Sequence, residues 1–419
     1  MRSVVLLLLL VPRAYSQVPW LPKWDNFKLT LDVRSREEAR TGVTFGKDAN
    51  LENPLFRTRV GAQWAPLSWL KLSAMGQDAR APEYGVAAPT SARDTMDLHE
   101  GYVELFPDQK RGFGAVFGRQ MLNYGEGRLI GTPQWTNTSR TYDVARAYYR
   151  LPRARLEFLF ASIVKVLPDS FNKPVLGDRL WGMYDSFPEL IKHGVVEAYV
   201  LRRDQNRPGG FTTAGTLGIN TFGGRATGPA PLGLKYSVEV ATQTGHTGLQ
   251  TQRAAAWFSN VSRRVTVHWP LDLSIEYKYA SGSSDPTGPR SGTFDQLYAT
   301  NHDKFGHEDL FGWRNIHNLR SLDTLRITKT VALNVMYDNF WLASAKDSLY
   351  NGQGRSIVRS TTGRDGTHVA QELDGFATYT TKGFTFGAGF GHLFVGEFLK
   401  RTTPGVNTRY LYLFQSYSF

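Results

Sequence analysis

The chain has 419 residues with 41 glycines, 13% aromatic residues, a formal net charge of +12 and no cysteine. Without cysteine there are no disulfides, thiolate metal sites or cysteine nucleophiles. The positive charge points to an anionic partner such as nucleic acid, anionic lipid or acidic polysaccharide, and the glycine and aromatic content suits many short strands and tight turns.

The first element is a secretory signal. Arg2 supplies the positive start, Val4 to Val11 the apolar core, and Ala14-Tyr15-Ser16 a small-x-small site before Gln17. Residues 1–16 are therefore expected to be cleaved, leaving 17–419 as a single exported domain. Beyond them no apolar run approaches the roughly 20 residues that a spanning helix needs. Such a chain is either a soluble envelope protein or a membrane β-barrel.

Alternation with period two runs through the exported part of the chain. Phe27, Leu29, Leu31 and Val33 alternate with Lys28, Thr30, Asp32 and Arg34. Phe56, Val60, Ala62 and Trp64 alternate with Arg57, Arg59 and Gln63, and Leu271, Leu273, Ile275, Tyr277 and Tyr279 with Asp272, Ser274, Glu276 and Lys278. A soluble sandwich would show the same pattern. Three features select the membrane version. Short turns (near Pro66, Pro107–Arg111, Pro152, Pro188–His193, Pro229–Pro231, Pro270, Lys329 and Lys382) alternate with longer polar connections at 39–53, 79–94, 122–140, 164–178, 282–317 and 344–367. Aromatics collect at strand ends: Trp64, Trp69, Trp269, Tyr277, Tyr279, Phe340 and Trp341. Finally, Leu411, Leu413, Tyr417 and Phe419 share one face of the closing strand, broken only by Gln415.

Strands are expected near 26–38, 54–65, 68–79, 95–106, 112–121, 141–150, 153–163, 179–187 and 194–203. The series continues near 211–222, 232–243, 251–263, 270–281, 318–328, 331–343, 368–380, 384–396 and 406–419. The fold class is thus all-β, a transmembrane antiparallel barrel of 18 strands with short periplasmic turns and long extracellular loops. Sixteen is the alternative count, because 179–187 and 211–222 alternate least clearly. Barrels of 16 to 18 strands enclose water.

With the apolar rows toward lipid, the opposite rows give the lumen Arg34 and Arg36, Arg57 and Arg59, Lys71, Arg119, Arg146 and Arg150, together with Asp32, Glu100, Glu104, Glu157, Glu239 and Glu276. On the strand at 141–150 Val144 shares the parity of Arg146, which blurs the assignment there. The stretch 118–150 is the richest, with Arg119, Arg128, Arg140, Arg146 and Arg150 among glycines and aromatics and only Glu126 and Asp143 as acids. It reads as strand, inserted loop, strand. Arginine stays charged and offers carboxylates a planar fork of donors. The plainer reading is a set of surface arginines paired with distant acids. Tyr124 and Trp135 are candidate sugar-stacking platforms; the plainer role is loop anchoring.

At these residues a resemblance appears. GRQMLNYGEGRLIGTPQWTNTSRTYDVAR (118–146), FDQLYATNHDKFGHEDLFGWRNIHNL (294–319), KYSVEVATQTG (235–245) and YKYASGSS (277–284) resemble the alginate export porins of Gram-negative outer membranes. The resemblance implies a monomeric 18-stranded barrel whose electropositive pore passes an anionic uronic-acid polymer, with outer-membrane lipid and periplasmic export components as partners. It also implies pore or constriction roles for Arg119, Arg128, Arg140, Asp143 and Arg146, with Asp143 orienting the arginines. The turn at 380–384 is short where some members carry a long periplasmic plug, so gating should differ or be absent.

His302, Asp303, His307, Glu308 and Asp309 match no defensible ligand spacing, so no metal or cofactor is expected. The segment 282–317 should instead fold into or over the mouth on Phe305, Phe311 and Trp313. The acceptor-like Asn137-Thr138-Ser139 is discounted in a bacterial envelope protein. No serine–histidine or two-carboxylate pairing is visible, so no enzyme is expected. The signal and closing strand argue against nucleic acid. The remaining alternative is a general or small-anion porin working in uptake.

Overall fold

A computed structural model describes residues 26–47, 50–82, 89–107, 111–206, 216–266, 268–302 and 304–419; the signal segment and Asp303 lie outside the described residues. Eighteen long strands run up and down around one sheet. They are β1 Phe27–Thr41, β2 Leu51–Leu67, β3 Leu70–Arg80, β4 Asp94–Leu105, β5 Gly112–Gln120, β6 Tyr142–Leu151, β7 Ala154–Lys165, β8 Lys173–Pro188 and β9 Val195–Gln205. Then come β10 Leu217–Ala230, β11 Leu234–Thr247, β12 Gln250–Thr266, β13 Pro270–Ala280, β14 Ile316–Arg326, β15 Val331–Trp341, β16 His368–Thr381, β17 Phe384–Val395 and β18 Thr408–Ser418. A two-residue strand, Arg290–Ser291, adds to the start of β12 in parallel. No described helix is long and apolar enough to cross a membrane.

Closure follows from the pairing. β1 runs antiparallel to β2 on one side and to β18 on the other, so the sheet has no free edge. In hydrocarbon every backbone N–H and C=O must find a partner inside the protein, and a closed antiparallel sheet achieves this. The alternation then decides what faces lipid. On β2, Phe56, Val60 and Trp64 are exposed while Arg57 and Arg59 are buried; on β18, Leu411 and Leu413 are exposed while Tyr410 and Tyr412 are buried.

The short connections lie on one side, for example 152–153, 231–233, 327–330 and 382–383. In the last, Lys382 (φ 46°) and Gly383 (φ 83°) both take the left-handed conformation of a two-residue hairpin turn matched to strand twist. The opposite, extracellular end carries the long loops 121–141, 281–315, 342–367 and 396–407, the last with α1, Glu397–Thr402.

Three expectations need correction. β10 occupies Leu217–Ala230, not 211–222, of which 211–215 lie outside the described residues; Gly223, Gly224, Gly228 and Pro229 hide its alternation. β8 begins at Lys173, not 179. Phe340 is no girdle residue: it is wholly buried, its ring 4.9 Å from Phe311 of the loop inside the barrel.

That contact marks the main departure from a water-filled tube. Leu122, Leu129, Ile130, Tyr142 and Val144 form one buried apolar cluster with Phe294, Leu297, Tyr298, Phe311 and Trp313. Two extracellular loops fold inward and build a core within the lumen. Val144 therefore faces inward beside Arg146 because its neighbour is a loop, not water.

Candidate pore and its crossbar

The loop 121–141 leaves β5, crosses the lumen and returns to β6, touching opposite walls on the way. At the far wall Glu126 Oε1 accepts from Arg225 Nη2 of β10 (3.0 Å) and from Ser237 Oγ of β11 (2.7 Å). Arg128 donates to Glu126 Oε2 (3.0 Å), sits 3.9 Å from Glu276 of β13, and lies 3.3 Å over the Phe258 ring of β12. Burial alone would raise the Glu126 carboxyl, but Arg128, Ser237 and Arg225 outweigh it and hold it below its ordinary 4.5. Tyr124 hydrogen-bonds Glu157 of β7 and packs its ring 4.6 Å from Tyr184 of β8.

The middle of the loop joins the second inserted loop through backbone bonds: Tyr298 N to Leu129 O (2.8 Å), Gly131 N to Tyr298 O (3.0 Å) and Thr300 N to Gly127 O (2.9 Å). Arg140 staples the joint, its Nη1 donating to the carbonyls of Gly131 (3.2 Å), Tyr298 (2.5 Å) and Ala299 (3.1 Å). The second loop is fixed in turn where Arg203 of β9 pairs with Asp178 of β8 and with Asp295, each at 3.2 Å. Phe305, Phe311 and Trp313 are buried anchors of this loop, as the sequence suggests.

At the near wall the returning segment 133–139 lies against β1 and β2. Arg34 donates to the carbonyls of Gln134 (2.9 Å), Trp135 (3.0 Å) and Thr136 (3.1 Å), and Arg36 to that of Trp135 (2.5 Å). Arg57 donates to Gln134 O (3.1 Å), and Arg59 to Gln134 Oε1 (2.8 Å), Gln77 Oε1 (2.7 Å) and Thr138 O (3.4 Å). Asp32 pairs with Arg57 and Glu38 with Arg36, both at 2.7 Å. Asn137 is buried, donating to the carbonyls of Phe56 (2.9 Å), Arg80 (3.2 Å) and Ala92 (2.9 Å), so the acceptor-like triplet is an internal pin.

On the β3–β7 wall Lys71 pairs with Glu104, while Arg146 (3.3 Å) and Arg155 share Glu157. Arg150 and Arg155 lie 4.5 and 4.3 Å from the Tyr148 ring, whose hydroxyl donates to Glu104 Oε1 at 3.0 Å.

Among the sequence candidates, Arg34, Arg57, Arg59, Arg128, Arg140, Arg146 and Arg150 all lie inside the barrel or on the inserted loop. Arg119 and Asp143 do not. They share the outer row with Phe117, Ala145 and Phe160, pair at 2.8 Å, and lie beneath loop 166–172, with Arg119 Nη2 donating to Asn172 O at 3.1 Å. The plain parity of β5 places Arg119 with Phe113 and Phe117. An ion pair is tolerated on that face because it sits at the strand ends and is covered by the loop. Trp135 and Tyr124 are likewise anchors: Trp135 stacks on His302 (4.6 Å, 4°) with Arg36 4.0 Å over its ring.

Sequence reasoning passed over Arg155, Arg203 and Arg225. Arg225 was hidden in the glycine-rich β10. Arg155 shares the inward parity of Glu157, which was a sufficient signal. His302 pairs with Asp309 (2.6 Å) and His307 with the Tyr412 hydroxyl (2.7 Å); among the described residues no group of three or more gathers as a metal ligand set.

A family model described as alginate export matches residues 24–412. No curated protein matches the chain. Among solved structures, the Pseudomonas aeruginosa protein OccK9 (OpdG) superposes with a TM-score of 0.68 at 11% identity, covering 94% of this chain and 98% of that one. OccD3 (OpdP) of the same organism gives 0.65 at 12% identity, covering 94% and 91%, and OpdK, solved with vanillate, gives 0.66 at 9%, covering 94% and 99%. At these identities the likeness is one of fold.

Proposed function

The chain belongs to the alginate export family and is an outer-membrane β-barrel channel; on that premise we propose that it passes an anionic uronic-acid polysaccharide, without chemistry, past the crossbar. The observation that supports this reading is that, among the described residues, Arg34, Arg59 and Arg140 hydrogen-bond only neutral acceptors. Among the described residues none of the three forms an ion pair with a carboxylate, and with Arg146 and Arg155, which share one glutamate, they are proposed to give the lumen a positive bias. A positive lumen concentrates anions and repels cations, while many weak contacts in place of one tight site let a polymer advance. The channel is proposed to act as a monomer, as the family resemblance implies, and to receive polymer from periplasmic components.

A second reading, uptake of small carboxylates, draws on OpdK, whose structure was solved with vanillate. Oligouronates of increasing length separate the two. A polymer channel is blocked progressively better as residues are added, whereas a small-anion porin responds equally to the monosaccharide acid. Incubation with labelled polymer tests the passive character: shortened product would contradict it.

A further inference from the structure

The near wall poses a question of charge balance. Arg34, Arg36, Arg57 and Arg59 converge on one short strip of chain, yet among the described residues only Asp32 and Glu38 form ion pairs with any of them. Arg34 is buried, its Nε has no partner among the described residues, and both terminal nitrogens are spent on loop oxygens. Arg59 is buried with two amide oxygens and a carbonyl. Placing charged guanidiniums among neutral acceptors is a poor arrangement for stability alone, since a hydrogen bond from guanidinium to carboxylate is about twice as strong as one to a neutral group.

We propose that segment 134–138 occupies a carboxylate-binding site as a stand-in, and that acidic sugar residues displace it, so the substrate itself releases this end of the crossbar. The carbonyl oxygens of Gln134, Trp135 and Thr136 all accept from the Arg34 guanidinium, the position a carboxylate would take. A uronate arriving at Arg34 and Arg59 gains an ionic contact that the loop cannot offer. The loop loses its Arg34 and Arg59 contacts at the same moment, because the same donors serve both, and is left with the Asn137 bonds and the Trp135 stack among its remaining holds. The far end, fixed by Arg128 at Phe258 and by Glu126 at Arg225, provides no such exchange, since Glu126 already supplies the carboxylate there. The crossbar thus swings from its near end. This rests on the polyuronate reading of the channel.

The absence of cysteine makes the test clean. Ser139 is buried and its Oγ has no partner among the described residues, so Ser139→Cys removes no hydrogen bond; Thr138→Cys, also buried, is the second probe should the first fail to fold. The full-length barrel in lipid is treated with a thiol reagent, alone, with a uronic-acid trisaccharide, and with the neutral hexose trisaccharide, while current blockade is recorded with the same sugars. A shift of the released state from about 1% to 10% of molecules should raise labelling roughly tenfold with the acidic sugar only. Arg34→Gln with Arg59→Gln should label fast without sugar. Blockade by the acidic trisaccharide without faster labelling overturns the exchange while leaving the transport reading intact. Neither blockade nor labelling overturns both.

Discussion

A guanidinium in this lumen is defined less by its own position than by what it meets. Arg34 and Arg59 meet neutral oxygens, Arg203 two aspartates, and Arg119 an aspartate on the opposite face of the wall. Arg34→Gln combined with Arg59→Gln should therefore lower the anion-to-cation permeability ratio by about twofold or more, read from reversal potentials in a salt gradient. Arg119→Gln should leave that ratio within error, since its charge is paired outside the lumen, while loosening loop 166–172. A large selectivity change in Arg119→Gln would contradict the outer-row placement. Which arginines turn inward was legible from period two, and Arg119 was legible too had its parity with Phe117 been followed. Their partners were not legible, because Gln134 and Arg34 stand 100 positions apart and only the inserted loop brings them together.

The crossbar is the element on which gating and selectivity meet. Its sequence showed an inserted, arginine-rich loop, but its course from the β10–β13 wall to the β1–β2 wall depends on an apolar cluster assembled from two loops. Replacing 123–139 by a short glycine-serine link should raise single-channel conductance several-fold and reduce anion preference; unchanged conductance would mean that the loop does not obstruct the lumen. The anchor at Glu126 gives a pH dependence with a definite sign. A carboxyl held below its ordinary 4.5 stabilises its contacts above that value, and the stabilisation is lost as pH falls through the lowered value. The Glu126 contacts should thus hold from pH 8 down to about 5, then loosen in more acidic buffer, and Glu126→Gln should abolish that acidic transition in single-channel noise. Strand existence was largely legible, since alternation reports one face in lipid. At β10, where glycines leave no side chain to alternate, only the limits were misplaced, and the pattern blurs at Val144, whose lumen neighbour is apolar.

At the scale of the whole molecule, stability lies in closure. β18 completes the hydrogen bonding of both β1 and β17, so deleting 408–419 leaves two bare edges that hydrocarbon cannot satisfy. That variant should lose the gel-mobility difference between heated and unheated samples that marks a folded barrel; retention of the difference would mean that a smaller barrel closes without it. The closed sheet and its sidedness were foreseeable from the alternation and from the alternating lengths of the connections. The joining of the two loops inside it was not, because Arg140 and Tyr298 stand 158 positions apart and meet only after the wall exists.

The central claim is a positively biased passage for acidic polymer. It is tested most directly by the reversal potential of the purified channel in a planar bilayer under a potassium chloride gradient, before and after adding oligouronate. Anion preference, with current blocked by oligouronate and untouched by a neutral oligosaccharide of equal length, is the predicted result. Cation preference, or equal response to both sugars, would contradict it.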